Sequence, residues 1–153
     1  MVLLNFIFTH CAAACPLQTQ RLKHLKRQID AEHPDVDLRL VSVSLTPEQD
    51  TPEVLAHYGN AQGISADDTW RLLTDDTVDV NTLMALLGMK ATFNDAETLD
   101  HLTNLYLFDR AGLLVKRYDG MSDSAVWLAN QIVALSRVAP RTENVAIPTS
   151  YTN

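Results

Sequence analysis

The spacing of apolar and polar residues predicts secondary structure along most of the chain. Short apolar runs rich in β-forming residues predict strands at 2–8, 38–44, 70–74, 102–108 and 113–118. Apolar residues spaced three and four apart predict helices at 16–32, 52–60, 78–87 and 124–138. Gly and Pro stand near several of the breaks between these segments, where turns are favoured.

The order of these elements, β-α-β-α-β-α-β-β-α, predicts an α/β fold with three layers. The run at 2–8 is apolar on both faces, which is typical of a central parallel strand. Residues 109–112, which end in Gly, separate the last two strands and predict an antiparallel hairpin. We therefore expect a central mixed sheet in a single domain over 1–138. Residues 139–153 lack periodicity and are expected to form a flexible tail.

Three helices carry apolar faces that are expected to cover the sheet. The residues predicted to point inward are Leu17, Leu22, Leu25 and Ile29 in the first helix, Val80, Leu83, Met84 and Leu87 in the third, and Val126, Trp127, Ile132, Val133 and Leu135 in the last. Trp70 and Tyr106 are also expected to be core or site-wall residues.

Composition excludes several classes of partner. The chain has 153 residues, 46% of them hydrophobic, and a net charge of −7. A real core is therefore expected, whereas the acidic charge argues against nucleic acid and anionic membranes as partners. No apolar stretch approaches the roughly 20 residues of a membrane span. Residues 12–15 are similar to a lipoprotein cleavage box, but no basic segment precedes them.

Cys11 and Cys15 are the only cysteines, and they follow the first predicted strand. Two thiols four residues apart are too few and too local for a disulfide framework. On one helical turn they can bond to each other or close on one metal ion. A helix amino end favours thiolate, so we expect a lowered thiol pKa there. An inert, buried pair is the remaining alternative.

Four segments resemble the Sco/SenC family in the same order along the chain. Residues 8–16, with Cys11 and Cys15, resemble its Phe-x-x-Cys-x-x-x-Cys-Pro segment. Residues 41–52 resemble its second strand and Asp-Pro-Glu-x-Asp-Thr-Pro turn, and residues 70–74 its Trp-x-x-Leu-Thr segment. His101 with the following strand resembles the strand that bears the family's histidine. The similarity covers about residues 2 to 120.

This resemblance implies a thioredoxin-like fold and copper, as Cu(I) or Cu(II), bound by Cys11, Cys15 and His101. It implies a chaperone role at the copper site of cytochrome c oxidase, so the implied partner is the copper-bearing subunit or another copper or thiol protein. Two thiolates and an imidazole suit Cu(I), whereas a structural zinc usually needs a fourth ligand. Family members act outside the cytoplasm, and the same location is implied here.

Other polar residues near these segments receive ordinary structural interpretations. Three histidines on or beside helices are expected to be solvated, namely His24, His33 and His57. His10 is expected to be a partly exposed loop residue, and the alternatives are that it tunes the pKa of Cys11 or serves as a spare ligand. The turn carboxylates are expected to cap backbone N–H groups rather than bind copper, namely Glu48, Asp50 and Asp109.

The sequence departs from the family pattern in three places. Thr46 replaces the Asp of Asp-Pro-Glu, and Ala12 stands where many members have Pro. The chain also begins inside the cysteine-bearing strand, so we expect a fold without the family's membrane anchor and amino-terminal hairpin. Either Met1 is a misassigned start or this is a shortened relative that covers one sheet edge differently, as a monomer or weak dimer.

Three alternatives to a copper chaperone stay open. A thiol-disulfide oxidoreductase would use Cys11 and Cys15 as its redox-active pair and would not need His101. A peroxide sensor would oxidise Cys11 and resolve it with Cys15, although the setting of a peroxidatic cysteine is missing. A truncated relative without function would dimerise or aggregate through uncovered edges.

Overall fold

The computed structural model describes residues 1–11, 14–64, 69–75, 77–89 and 103–138. The strands are β1 (Val2–Ile7), β2 (Arg39–Ser44), β3 (Trp70–Leu73), β4 (Asn104–Phe108) and β5 (Leu114–Asp119). The helices are α1 (Ala14–Glu32), α2 (Pro52–Gln62), α3 (Thr77–Leu86) and α4 (Ala125–Ser136). Every predicted element is present, and none of its ends is shifted by more than two residues.

The five strands form one mixed sheet in the order β3-β2-β1-β4-β5. β1 and β3 both pair in parallel with β2, while β4 runs antiparallel to β1 and to β5. β1 is therefore the central strand, as its two-sided apolar sequence predicts. The carboxyl ends of β1, β2 and β3 meet at one end of the sheet, which is where the cysteine segment begins.

The predicted hairpin between β4 and β5 is confirmed. Asp109 Oδ1 accepts hydrogen bonds from the backbone N–H groups of Ala111 at 2.8 Å and Leu113 at 3.0 Å. Gly112 has φ +78°, a conformation that favours glycine because it has no Cβ. The carboxylate of Asp109 thus caps the turn, as predicted.

Helices cover both faces of the sheet and give the three predicted layers. α1 and α4 pack on one face, where they share a buried apolar cluster with the strands. α2 lies on the same side, because its Tyr58 contacts α1 through Thr19 and packs with Ile7 of β1. The opposite face is covered by α3, whose Val80 and Met84 belong to a second cluster. Trp70 and Tyr106 are buried, as predicted.

Some inward-facing predictions are wrong. Leu17 is 52% exposed, and Val126 and Trp127 are 58% and 42% exposed. α4 buries Ile132 and Val133 as predicted, but it adds Leu128 and Ala129 to its inner face in place of Val126 and Trp127. The Trp127 ring lies edge-on to Tyr118 at 5.8 Å, at the margin of the sheet, which explains why a large apolar residue is only partly covered.

Within the described ranges, none of the helices has the length and apolar character that a bilayer crossing requires. The proposed tail at 139–153 lies outside the described residues, so the expectation stays a prediction.

Candidate functional site

Cys11 and Cys15 lie together at the carboxyl end of the central strand. Cys11 lies four residues after the end of β1, and Cys15 lies in the first turn of α1. The Cys15 backbone N–H donates to Cys11 Sγ at 3.3 Å, and neither cysteine is in a disulfide bond. The two cysteines are therefore adjacent, although Cys11 lies outside α1 and not on the same helical turn as Cys15.

The two thiols have different surroundings. Cys11 is half-buried, whereas Cys15 is only 5% exposed. Burial raises the pKa of Cys15 to about 12, since desolvation penalises the thiolate and outweighs a backbone hydrogen bond from Phe8 that favours it. The nearby Cys11 and the charge of Asp50 act in the same direction as burial. The expectation that the helix amino end lowers this pKa is therefore wrong for Cys15.

A buried hydroxyl pair lies one turn further along α1. The Thr19 and Tyr58 hydroxyls are 3.0 Å apart and link α1 to α2. Burial raises the pKa of Tyr58, and Asp50 and the two cysteines, in their ionised forms, act in the same direction. Tyr58 therefore lies within electrostatic range of the thiols and stays a neutral phenol at physiological pH.

Asp50 is the buried carboxylate of this end of the sheet. It is 0% exposed and lies just before α2, in a turn that follows β2. Its Oδ1 accepts from the Thr9 hydroxyl at 2.5 Å, and its Oδ2 accepts from the Thr9 N–H at 3.2 Å. Oδ2 also accepts from the hydroxyls of Ser44 at 2.7 Å and Thr46 at 3.1 Å. The prediction that this carboxylate caps backbone N–H is confirmed. The capped N–H belongs to Thr9, in the segment of residues 8–11 that leads to Cys11, which we call the cysteine loop.

A chain of buried hydrogen bonds crosses the sheet beneath the site. Trp70 Nε1 donates to Ser42 Oγ at 3.1 Å, and Ser42 Oγ donates to Asn5 Oδ1 at 2.7 Å. Asn5 Nδ2 in turn donates to Gln18 Oε1 on α1 at 2.9 Å. β3, β2 and β1 are thus connected to the helix that carries Cys15.

The same chain ends at the start of β4. Gln18 Nε2 donates to the Thr103 carbonyl oxygen at 2.5 Å, and the Gly120 N–H donates to the same oxygen at 3.0 Å. A Cβ at Gly120 would overlap that carbonyl oxygen and crowd the Gln18 amide. The absence of a side chain at Gly120 therefore gives Gln18 its access to the backbone of residue 103.

His101, the third proposed ligand, lies outside the described residues, two positions before Thr103 in the sequence. Among residues 1–11, 14–64, 69–75, 77–89 and 103–138, no three His, Cys, Asp or Glu side chains gather closely enough to hold a metal ion. The described part of the site thus supplies two soft sulfur donors, which suit a soft ion such as Cu(I) and not a hard one.

Of the three histidines predicted to be solvated, two are exposed and one is half-buried. His24 and His57 are exposed, and His33 is half-buried at the end of α1. His10 is exposed beside Cys11, and its Nδ1 lies 3.3 Å from the Thr9 hydroxyl. The loop interpretation of His10 fits this contact, and its role as a spare ligand stays untested.

Sequence reasoning gave no site role to Asp50, Gln18 or Asn5. Asn5 interrupts an otherwise apolar strand, and Gln18 follows Cys15 by three residues on the buried face of α1. A polar residue at a buried position signals a hydrogen-bond network, because an unpaired polar group is costly there. A polar residue at a position expected to be buried could thus have pointed to Asn5 and Gln18, but not to the groups that they bind.

Comparison with known proteins identifies the family. The family profile described as SCO1/SenC matches residues 1–136. The chain belongs to the SCO1/SenC family. It is 31% identical over 125 residues to the SCO1 protein homolog of Bacillus subtilis, covering 80% of this chain and 63% of that protein. The human mitochondrial SCO2 homolog is 37% identical over 57 residues, which are 37% of this chain and 21% of that protein.

Solved structures of Sco proteins share the fold. Yeast Sco1 superposes with a TM-score of 0.75 at 18% identity, covering 92% of this chain and 82% of the other. A SCO1/SenC family lipoprotein from Bacillus anthracis gives 0.67 at 25% identity, covering 88% and 80%. Arabidopsis thaliana ScoI with copper bound gives 0.68 at 24% identity, covering 87% and 81%. The predicted thioredoxin-like fold with a mixed sheet is confirmed.

This SCO1/SenC chain spans less than two thirds of the length of the curated relatives that it matches. The comparisons therefore establish its family and fold.

Proposed function

We propose that this protein binds one copper ion through Cys11, Cys15 and His101 and transfers it to the copper-bearing subunit of cytochrome c oxidase. The observation that carries the proposal is the pair of thiols held side by side at the carboxyl end of β1. Solved relatives described as copper-bound include yeast Sco1 and Arabidopsis ScoI, which supports copper as the cargo.

The donor set suits a transient copper site. Two sulfurs are a low-coordinate environment for Cu(I), and one imidazole completes it without closing the site to a partner's ligands. Because Cys15 is a neutral thiol when no metal is bound, copper binding must release its proton. Transfer then proceeds by ligand exchange, in which incoming thiolates replace Cys11 and Cys15 one at a time.

A location outside the cytoplasm fits this function. The relatives include a lipoprotein of Bacillus anthracis and mitochondrial proteins of human and cattle. We therefore propose an extracytoplasmic location for this protein.

Competition for Cu(I) under anaerobic conditions tests the proposal. The reduced protein is titrated against a Cu(I) chelator together with Cys15→Ala, His101→Ala and the control His57→Ala, whose side chain is exposed on α2. We expect one Cu(I) per wild-type chain and an affinity at least about 100-fold lower in the first two variants. His57→Ala should bind like wild type. Full copper retention by Cys15→Ala would contradict the proposal.

A second candidate is a thiol-disulfide oxidoreductase that uses Cys11 and Cys15. The two adjacent cysteines, which form no disulfide in this structure, support it, and one relative with a TM-score of 0.71 is described as having a disulfide switch. This alternative needs both cysteines but not His101. If His101→Ala keeps full disulfide-exchange activity while wild type fails to hold Cu(I), the oxidoreductase replaces the chaperone.

A further inference from the structure

The hydrogen bonds to the buried Asp50 carboxylate come from neutral hydroxyl and backbone N–H groups. Its four hydrogen bonds come from Thr9, which supplies two, and from Ser44 and Thr46. A buried carboxylate is costly unless its oxygens are well paired, and bonds to a charged group are stronger than neutral ones. The cluster therefore fixes its donors firmly, and one of those donors belongs to the cysteine loop.

The segment that precedes Cys11 forms a tight turn next to Thr9. Thr9 lies two residues before Cys11, and the Cys11 N–H donates to the Phe8 carbonyl at 3.1 Å to close a tight turn. Cys15, in contrast, is part of the 19-residue helix α1 and is packed into the core. The position of one sulfur is thus set by a helix, while the other depends on how its loop is anchored.

We propose that Asp50 is a positioning residue for the two-thiol site. Through both hydrogen bonds to Thr9 it fixes the loop of residues 8–11, and thereby holds the Cys11 sulfur beside Cys15. The inference deepens the proposed function, since it concerns the same thiols. Its physical basis is preorganisation, because a sulfur held in place loses less freedom when it bonds to its neighbour or to an ion.

The disulfide equilibrium with glutathione measures this positioning without any metal. The reaction converts the protein dithiol and oxidised glutathione into the protein disulfide and two reduced glutathiones. Two S–H bonds in the protein break and one S–S bond forms there, while one glutathione S–S bond breaks and two S–H bonds form. The equilibrium constant reports how well each thiol is presented to the other.

Two variants weaken the hydrogen bonding between Thr9 and Asp50, one at each residue. Thr9→Val removes the hydroxyl that donates to Asp50 Oδ1, and Asp50→Asn removes the charge while leaving the 3.3 Å contact between Thr9 and His10. We expect the equilibrium constant to fall about tenfold in Thr9→Val and in the same direction in Asp50→Asn. Thr9→Ser keeps the hydroxyl and should restore the wild-type value within about threefold.

Thr46→Val is the matched control, because it removes another donor to Asp50 that lies outside the cysteine loop. It should lower thermal stability as Thr9→Val does, yet leave the equilibrium constant within about twofold of wild type. Adding Thr9→Val to the Asp50→Asn variant should lower the equilibrium constant less than Thr9→Val lowers it in the wild-type protein, since the two residues share one interaction.

Equal disulfide constants in wild type and Thr9→Val would overturn the proposal. So would an equal drop in Thr9→Val and Thr46→Val, which would indicate a general structural role. A wild-type protein that fails to hold Cu(I) would defeat the proposed function and leave this result standing, because glutathione exchange needs no copper.

Discussion

The two faces of the sheet are built differently. The face under α3 is apolar, and Phe6 and Tyr106 meet there edge-to-face with ring centroids 6.1 Å apart. The face under α1 has an apolar cluster too, but near the site it buries Asn5, Gln18 and Ser42 in a connected hydrogen-bond chain. Successive residues of β1 point to opposite faces, so one strand supplies both.

This difference shows how a small fold separates stability from positioning. Apolar packing is non-directional and stabilises whatever shape fills the space. Hydrogen bonds between buried groups are directional, so they fix where α1 lies relative to β1 and to the start of β4. The face with the polar chain is also the face on which Cys15 is packed.

The largest expected effect is the loss of stability when an aromatic ring is removed from the apolar face. Phe6→Ala should lower the free energy of unfolding by about 3–5 kcal/mol, because it removes a fully buried ring and leaves a cavity against Tyr106. Urea unfolding followed by circular dichroism measures this change. Leu17→Ala, at a half-exposed position of α1, is the control and should change stability by less than about 0.5 kcal/mol.

A smaller effect is expected on the polar face. Gln18→Leu has similar volume but leaves Asn5 Nδ2 without its best acceptor and removes one donor from the Thr103 carbonyl. We expect a loss of about 1–3 kcal/mol in the same unfolding measurement. Gln20→Leu, at an exposed position of the same helix, should cost about 0.5 kcal/mol or less. An unchanged free energy of unfolding in Gln18→Leu would contradict the difference that we draw between the two faces.

The smallest effect concerns the rates at which the two thiols react. The pKa of Cys15 is raised to about 12, so its thiolate is a small minority at pH 7.5. We expect iodoacetamide to modify Cys15 at least about tenfold more slowly than Cys11, since Cys15 is also buried. Its rate should rise about tenfold per pH unit, because a raised thiol pKa leaves the thiol protonated until high pH.

Single-cysteine variants separate the two rates. Cys11→Ser leaves only Cys15, and Cys15→Ser leaves only Cys11, so labelling of each is followed by mass spectrometry. Equal rates in the two variants at pH 7.5 would show that burial on the α1 face does not suppress the thiolate of Cys15.

Much of the fold could be predicted because its signals are local. The hairpin of β4 and β5 follows from Asp109 and Gly112, whose turn chemistry acts within four residues. The exposure of Leu17 and Trp127 could not be predicted, because an apolar stripe does not state how a helix is rotated against a twisted sheet.

The candidate site divides in the same way. The spacing of Cys11 and Cys15 predicts two adjacent sulfurs, because four residues span one helical turn. The role of Asp50 could not be predicted, since its contact with Thr9 joins residues 41 positions apart. Nor could the raised pKa of Cys15 be predicted, because the helix terminus acts locally while desolvation depends on what the whole fold packs around the sulfur.

The sequence by itself determined the order of strands and helices, the family, and the presence of two soft donors at the end of a central strand. Only the tertiary structure decided which thiol is buried, which carboxylate anchors the cysteine loop, and which amide connects α1 to residue 103. The reason is physical: periodicity and turn chemistry act between near neighbours, whereas desolvation and buried hydrogen bonds exist only after distant segments have packed.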